Sequence, residues 1–358
     1  MDAFIVASTR PYIGKSGVVL ALLAIAGDRG LRTAYFKPYG TMPTTVGEIH
    51  TDLDAVYISR RATSDVPLEY VCPVVETTAF REDVVAGRQG DARSLVTTAF
   101  ARVSRDADLL IIEGPSDLFQ GRSVELSVCQ VAELLDVSVL LVAAGERAGL
   151  PDSVLGAADC LGSRLAGVLF NDVSPAVEGL VKAQVAPFLE RRGIPVFGAV
   201  PHDAMLSSVT VAEIVEELGG TVLSAEANID QTAESFMVGA MGQDKAMRFF
   251  RRRPRKVVVT GGDRSDVQLA ALETDTRALV LTGDLPPSAH VLSRAEELGV
   301  PMVLVAHDTL STVERLERMF GRVRLHDPVK ADRIREMLSG SVDVDAMLAV
   351  LTARHDQA

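Results

Sequence analysis

The chain has 358 residues, of which 47% are hydrophobic and 23% charged, and it carries a formal net charge of −12. That length exceeds one ordinary domain and suits two, and the acidic balance argues against nucleic acid and anionic membranes as partners. Asp2, Arg10 and Pro11 break up the N-terminal apolar run, and no apolar stretch has membrane length, so a cytoplasmic protein is expected.

In chain order, residues 4–7 are a short apolar run that predicts a buried strand. Residues 16–28 place Val18, Val19, Leu22, Leu23 and Ile25 at helical spacing and end near Gly27 and Gly30. Residues 32–36 predict the next strand, which completes a βαβ unit. The pattern recurs as a helix over 92–103 and a strand over 109–112, then a strand over 137–143 and a helix over 153–161. A strand over 165–170, a helix over 176–191 and a strand over 196–200 follow. Continuous apolar strands alternating with helices predict an α/β fold with a mostly parallel sheet and helices on both faces.

The pattern resets near Ser207. Residues 209–218 read as a helix, and strands over 256–260, 278–281 and 302–305 alternate with helices over 264–273, 288–298 and 311–320. The expected division is therefore a nucleotide-binding domain over 1–205, a linker helix over 206–222, a smaller α/β domain over 223–335 and a C-terminal tail or helix over 336–358. In the second domain, the strand ends Thr260-Gly-Gly-Asp263, Thr282-Gly-Asp284 and His307-Asp-Thr309 each carry an Asp near a helix start. Helix N-capping and a ligand crevice both fit that placement.

Other features suggest less chemistry. Cys72, Cys129 and Cys160 are far apart, lack metal or redox spacing, and read as small core hydrophobes of a reducing compartment. The basic run from Arg248 to Lys256 reads as a solvated charge cluster before a strand. His202 and His307 have no second His or Cys at metal spacing, which suits structural or solvent roles.

The loop Ser8-Thr9-Arg10-Pro11-Tyr12-Ile13-Gly14-Lys15-Ser16 lies between the first strand and the first helix. Backbone N–H groups opening a helix bind phosphate, Lys15 adds a point charge, and the Ser16 hydroxyl can hold Mg²⁺. The strict pattern asks for Gly where Thr9 stands, so the loop is a variant. It predicts a purine nucleoside triphosphate, with Arg10, Ile13, Gly14, Lys15, Ser16 and Gly17 as its binding residues.

Residues 5–38, with the Phe36-Lys37-Pro38 strand end, resemble the N-terminal P-loop domain of bacterial phosphotransacetylases and, through it, dethiobiotin synthetase. Val209-Thr-Val-Ala-Glu-Ile, Met237-Val-Gly-Ala-Met-Gly, Val259-Thr-Gly-Gly-Asp-Arg-Ser-Asp266 and His307-Asp-Thr-Leu-Ser-Thr312 resemble the DRTGG domain of the same proteins. Together the motifs span nearly the whole chain. The resemblance implies ATP and Mg²⁺ as ligands, with Ser16, Asp54 and Glu113 as the metal's oxygen donors. It also implies Asn171 as a contact to the base and Lys37 as an active-site lysine beside Lys15. Asp54 also reads as a surface acid, and Asn171 as a turn residue. In dethiobiotin synthetases a glycine-rich run follows the Glu, whereas here Glu113-Gly114 is followed by Pro115-Ser116-Asp117-Leu118. Arg10 stands where related ATPases with a deviant loop place a lysine that reaches a partner subunit's nucleotide, so a dimer is expected, although a solvent-exposed arginine fits equally.

The expectation is a Mg-ATP-binding regulatory or sensor protein, dimeric and linked to acetyl-CoA or acyl-phosphate metabolism through a partner enzyme, without acetyl transfer of its own. The alternative is an ATP-dependent ligase acting on a carboxylate or carbamate. A scaffold with a decayed loop is the third reading, and retained Lys15 and Ser16 oppose it.

Overall fold

The computed structural model describes residues 1–145, 151–320 and 327–353. The chain forms two compact units, residues 1–202 with 323–358, and residues 203–322.

The first unit is built on β1 (Asp2–Ser8), β2 (Thr33–Phe36), β3 (Pro43–Val46), β4 (Ile49–Asp52), β5 (Leu109–Glu113), β6 (Ser138–Ala144), β7 (Leu165–Val173) and β8 (Val196–Pro201). Six of these form a sheet in the order β2-β5-β1-β6-β7-β8, and every pair is parallel. Parallel strands covered on both faces are apolar throughout, which explains the uninterrupted burial of Leu109–Glu113 and Thr33–Phe36. β3 and β4 form a separate antiparallel hairpin. Its sequence, Pro43-Thr-Thr-Val46-Gly47, alternates weakly, and no strand is expected there from periodicity.

The helix Lys15–Asp28 is apolar on every side, with Val18, Val19, Leu20, Leu22, Leu23 and Ile25 all buried. A helix without a polar face needs cover all round, and each such side chain contributes roughly 2 kcal/mol when removed from water. The sheet covers one side. The helices Pro328–Ser341 and Val344–Thr352, which follow the second unit in sequence, complete the cover by packing on Lys15–Asp28 and on β1, β6 and β8. The sequence reading placed residues up to 335 in the second domain and the remainder in a tail. The contacts of these helices assign them to the first unit instead, because the apolar helix requires them.

The second unit contains β9 (Val209–Thr210), β10 (Thr221–Ser224), β11 (Thr232–Ala233), β12 (Ser235–Val238), β13 (Lys256–Gly261), β14 (Thr276–Thr282) and β15 (Met302–Leu304). Its sheet runs β10-β15-β14-β13-β12, with β12 to β15 parallel and β10 antiparallel at the edge. The helix Val211–Leu218, expected as a linker, belongs to this unit and starts with a capping box between Thr210 and Glu213. Of the three strand-end acids, Asp308 acts as a cap, accepting from Ser311 N at 3.0 Å. The helix Ser265–Leu272 has Arg264 at its N-cap, with no side-chain cap bond, and Asp284 adopts a left-handed φ of 54°.

The cysteine reading changes as well. Cys129 and Cys160 form a disulfide with Cα atoms 6.6 Å apart, and Cys72 stays free and buried. The paired residues lie on the helices Val128–Leu135 and Asp152–Leu161, which flank β6 in sequence; a spacing of 31 residues does not reveal that they meet.

Candidate functional site

β1 and β5 are neighbours, and their register pairs Val6 with Glu113. Ser8, at the end of β1, and Glu113, at the end of β5, therefore open onto the same edge of the sheet. In parallel α/β sheets this carboxyl edge is where ligands bind. The loop leaving β1 is fixed at its base by Thr9 N donating to Val142 O (3.3 Å) and Ser8 Oγ donating to Ser116 O (3.0 Å). It turns through Tyr12 (φ 62°) and Gly14 (φ 80°), both left-handed, before Lys15 begins the helix. Gly14 is needed twice over: its φ excludes most side chains, and a methyl there would overlap the Asn171 amide.

Lys15 is buried, and its Nζ donates to the carbonyls of Gly114 and Pro115. Glu113 Oε1 lies 3.9 Å away. Burial pulls the Lys15 ammonium down to about 8, against the attraction of Glu113. Ser16 Oγ donates to Glu113 Oε1 at 2.5 Å, and Tyr35 donates its hydroxyl to Glu113 Oε2 at 2.6 Å. Burial and the adjacent carboxylate hold the Tyr35 phenol well above its ordinary range, so it remains a donor. Glu113 is thus a buried carboxylate satisfied by two hydroxyls.

A second cluster lies beside the first. Lys37, 3% exposed, donates to Asp52 Oδ1 at 2.7 Å and to Asp54 Oδ2 at 3.1 Å. Burial alone would lower its pKa, but the two carboxylates outweigh it and hold the ammonium well above its ordinary value. Asp52 is fully buried and also accepts from the backbone N–H groups of Thr41, Met42, Asp54 and Ala55. Burial works against its charge, yet Lys37 and these donors keep its pKa below the usual carboxylate value. Asp54 is raised by burial and by the nearby Glu113 and Asp52 charges, against the pull of Lys37.

Sequence reasoning missed Tyr35, read only as part of a strand, and Asp52. Asp52 caps the helix Leu53–Ile58, so in sequence it resembles any capping acid. Only the fold shows that it also anchors Lys37 and the backbone at residues 41 and 42.

The structure brings Gly14, Lys15, Ser16, Lys37, Asp54 and Glu113 into one neighbourhood. Asn171, at the end of β7, sits against the loop: its Nδ2 donates to Ile13 O at 2.8 Å, and the residue is 7% exposed. With one N–H given to Ile13, the amide keeps its second N–H and its Oδ1 for a base. Ile13 and Gly17 are buried, and Arg10 is exposed at the surface. His202 pairs with Asp172 through Nδ1 and Oδ1 at 2.6 Å. Among the described residues, no three His, Cys, Asp or Glu side chains converge on one point as a metal site. The Ser16 hydroxyl with the Asp54 and Glu113 carboxylates is instead a sparse set of hard oxygens. That suits Mg²⁺, which fills the rest of its shell with phosphate and water.

Comparison with known proteins places two matched regions along the chain. A family model described as an AAA domain matches residues 2–210, and a DRTGG domain model matches residues 213–319. The phosphate acetyltransferase of Pseudomonas aeruginosa is 23% identical over 96% of this chain and 51% of its own length, so the chain spans about half of that relative. An ATP-dependent dethiobiotin synthetase of Pseudomonas aeruginosa is 31% identical over 61% of this chain and 96% of its own. Among solved structures, the CBS and DRTGG domains of the regulatory region of Clostridium perfringens pyrophosphatase, complexed with the activator diadenosine tetraphosphate, match at 13% identity with a TM-score of 0.28. That match covers 47% of this chain and 85% of the other.

Proposed function

The chain belongs to the AAA-domain family and carries a DRTGG domain, and from that premise we propose a regulatory protein of the phosphotransacetylase type whose first unit binds Mg-ATP. The observation that carries the reading is the convergence of Gly14, Lys15 and Ser16, at the start of a helix, on Glu113 at the end of the neighbouring strand. Helix-opening N–H groups and Lys15 would receive the phosphates, and Ser16, Asp54 and Glu113 would hold Mg²⁺, which neutralises phosphate charge. Asn171 would support the loop through Ile13 and offer its remaining amide groups to the base. A link to acetyl-CoA or acyl-phosphate metabolism rests on the phosphate acetyltransferase relatives.

The regulatory reading is favoured over an ATP-dependent ligase of carboxylates or carbamates because Pro115-Ser116-Asp117-Leu118 stands where dethiobiotin synthetases carry a glycine-rich run after the Glu. Arg10, exposed on the loop, is assigned to a partner subunit's nucleotide in a dimer.

Calorimetric titration of the full chain with ATP, with and without Mg²⁺, tests the reading. Binding that is lost in Lys15→Ala and weakened without Mg²⁺ is expected. No heat with any Mg-nucleotide would end it, and turnover stimulated by a small carboxylate or carbamate would restore the ligase. Arg10→Ala, followed by sedimentation and phosphate release, tests the dimer arm. Unchanged behaviour in both removes it.

A further inference from the structure

We infer that the returning helix Pro328–Ser341 is a working part of the nucleotide site, with Ile334 as a positioning residue for Lys15 and Ser16. The inference rests on the nucleotide-binding reading above and extends it to a segment outside the matched AAA-domain region.

Gly17 is the third residue of the helix that begins at Lys15, directly after the two side chains assigned to phosphate and metal. A methyl built on Gly17 would overlap Ile334 Cδ1, so the Ile334 δ-methyl fills the place of the missing side chain. Ile334 is 2% exposed, so this contact is a packed one. The loop preceding it contains two left-handed residues, Tyr12 and Gly14, and is therefore a segment whose geometry depends on its surroundings. The contact at Gly17 backs the helical turn whose Lys15 meets the Gly114 and Pro115 carbonyls and whose Ser16 meets Glu113.

The helix carrying Ile334 is itself held in place. Arg335 pairs with Asp28 at 2.8 Å, and Arg29 pairs with Asp345 at 2.9 Å. Val342 bridges Gly198 on β8, where a side chain at 198 would collide with the Ser341 carbonyl. The phosphate-binding turn is thus supported by chain that follows the second unit in sequence.

The test is allele-specific. Ile334→Val deletes only the methyl that faces Gly17, and Gly17→Ala adds one. Gly17→Ala alone is expected to weaken Mg-ATP binding by about tenfold or more, as misplaced contacts do. Gly17→Ala with Ile334→Val is expected to recover most of the affinity. Gly17→Ala with Leu338→Ala, which trims a residue 1% exposed on the same helix, is expected to leave the loss in place. Amide exchange of residues 12–17 in the nucleotide-free chain should rise in Ile334→Val and stay at the wild-type rate in Leu338→Ala. Equal rescue by both second mutations, or equal exchange in both variants, overturns the inference. If the wild-type chain binds no Mg-nucleotide, the nucleotide reading fails by itself, and the exchange experiment still decides whether Ile334 positions the loop.

Discussion

Removing Asp52 should cost more than any exposed acid in the chain, and Lys37 sets the size of the effect. In Asp52→Ala the Lys37 ammonium, 3% exposed, keeps only Asp54 at 3.1 Å. Breaking a buried ion pair from one side costs about 3–5 kcal/mol, because the remaining charge is still buried. Losing the cap of the helix Leu53–Ile58 adds about 1 kcal/mol. The expected total is about 5 kcal/mol, comparable to the whole stability of many domains. Lys37→Met should cost less, about 2 kcal/mol, since Asp52 still accepts from Thr41, Met42 and Asp54 N–H groups. The double variant Asp52→Ala with Lys37→Met buries no charge in the pair and should be more stable than Asp52→Ala alone. Urea unfolding of the full chain, read by amide exchange of residues 33–58, measures each corner of the cycle. Equal single costs with an additive double would refute the reasoning, because it would mean that Asp52 and Lys37 do not depend on each other.

Three further outcomes follow from the structure. The chain has no tryptophan, so Phe119→Trp, at a residue 58% exposed in the segment after Pro115, gives a single tryptophan that can be excited apart from the tyrosines. Mg-ATP should change its emission as Lys15 leaves the Gly114 and Pro115 carbonyls, and a silent probe in a chain that binds nucleotide would show that this segment stays put. Lys256 is buried and bonded to Thr274 Oγ1 and the Asp275 carbonyl, and burial lowers its pKa to about 8. The unfolded chain then holds more protons between about 8 and 10.5, so stability contributed at this site rises with pH across that window; Lys256→Met should flatten that rise in thermal-shift measurements, and an unchanged slope would exclude Lys256 as its source. Reducing the Cys129–Cys160 disulfide opens a loop of 31 residues. Chain entropy values that closure at about 4 kcal/mol. Dithiothreitol should therefore lower the midpoint of the wild type and leave Cys129→Ser unmoved, and equal sensitivity in both would exclude the disulfide as the cause.

How far the sequence carries depends on which force fixes each feature. The helix over 92–103 and the strand ends of the first sheet follow from periodicity and apolar runs, which are local, and the structure reproduces the helix as Ala92–Val103. The neighbourhood of Gly14, Lys15, Ser16 and Glu113 was legible because each residue ends or opens an element of a parallel sheet. Asp52 was not legible, since a capping acid and a buried anchor have the same local signature. The hairpin Pro43–Val46 and Ile49–Asp52 was missed because its register comes from the turn and from the Asp52 contacts. The placement of the C-terminal helices did have a signal. The helix Lys15–Asp28 is apolar on all sides, and one sheet cannot cover such a helix, so a second cover had to come from elsewhere in the chain.

On the proposed reading, the ligand must compete with the protein for each group it uses. Lys15 is bonded to two carbonyls, Ser16 to Glu113, Asp54 to Lys37 and the Asn171 amide to Ile13. A triphosphate with Mg²⁺ would share these groups with bonds already made or replace some of them, so the net affinity is smaller than the sum of its contacts. The displaced bonds lead outward. Pro115 precedes Ser116, whose N–H donates to Gln120 Oε1, and Gln120 Nε2 donates to Glu76. Ser116 Oγ lies 3.4 Å from Thr41 Oγ1, and Thr41 N–H donates to Asp52. On the proposed reading, a ligand that draws Lys15 away from Gly114 and Pro115 would pass its effect along this chain of bonds.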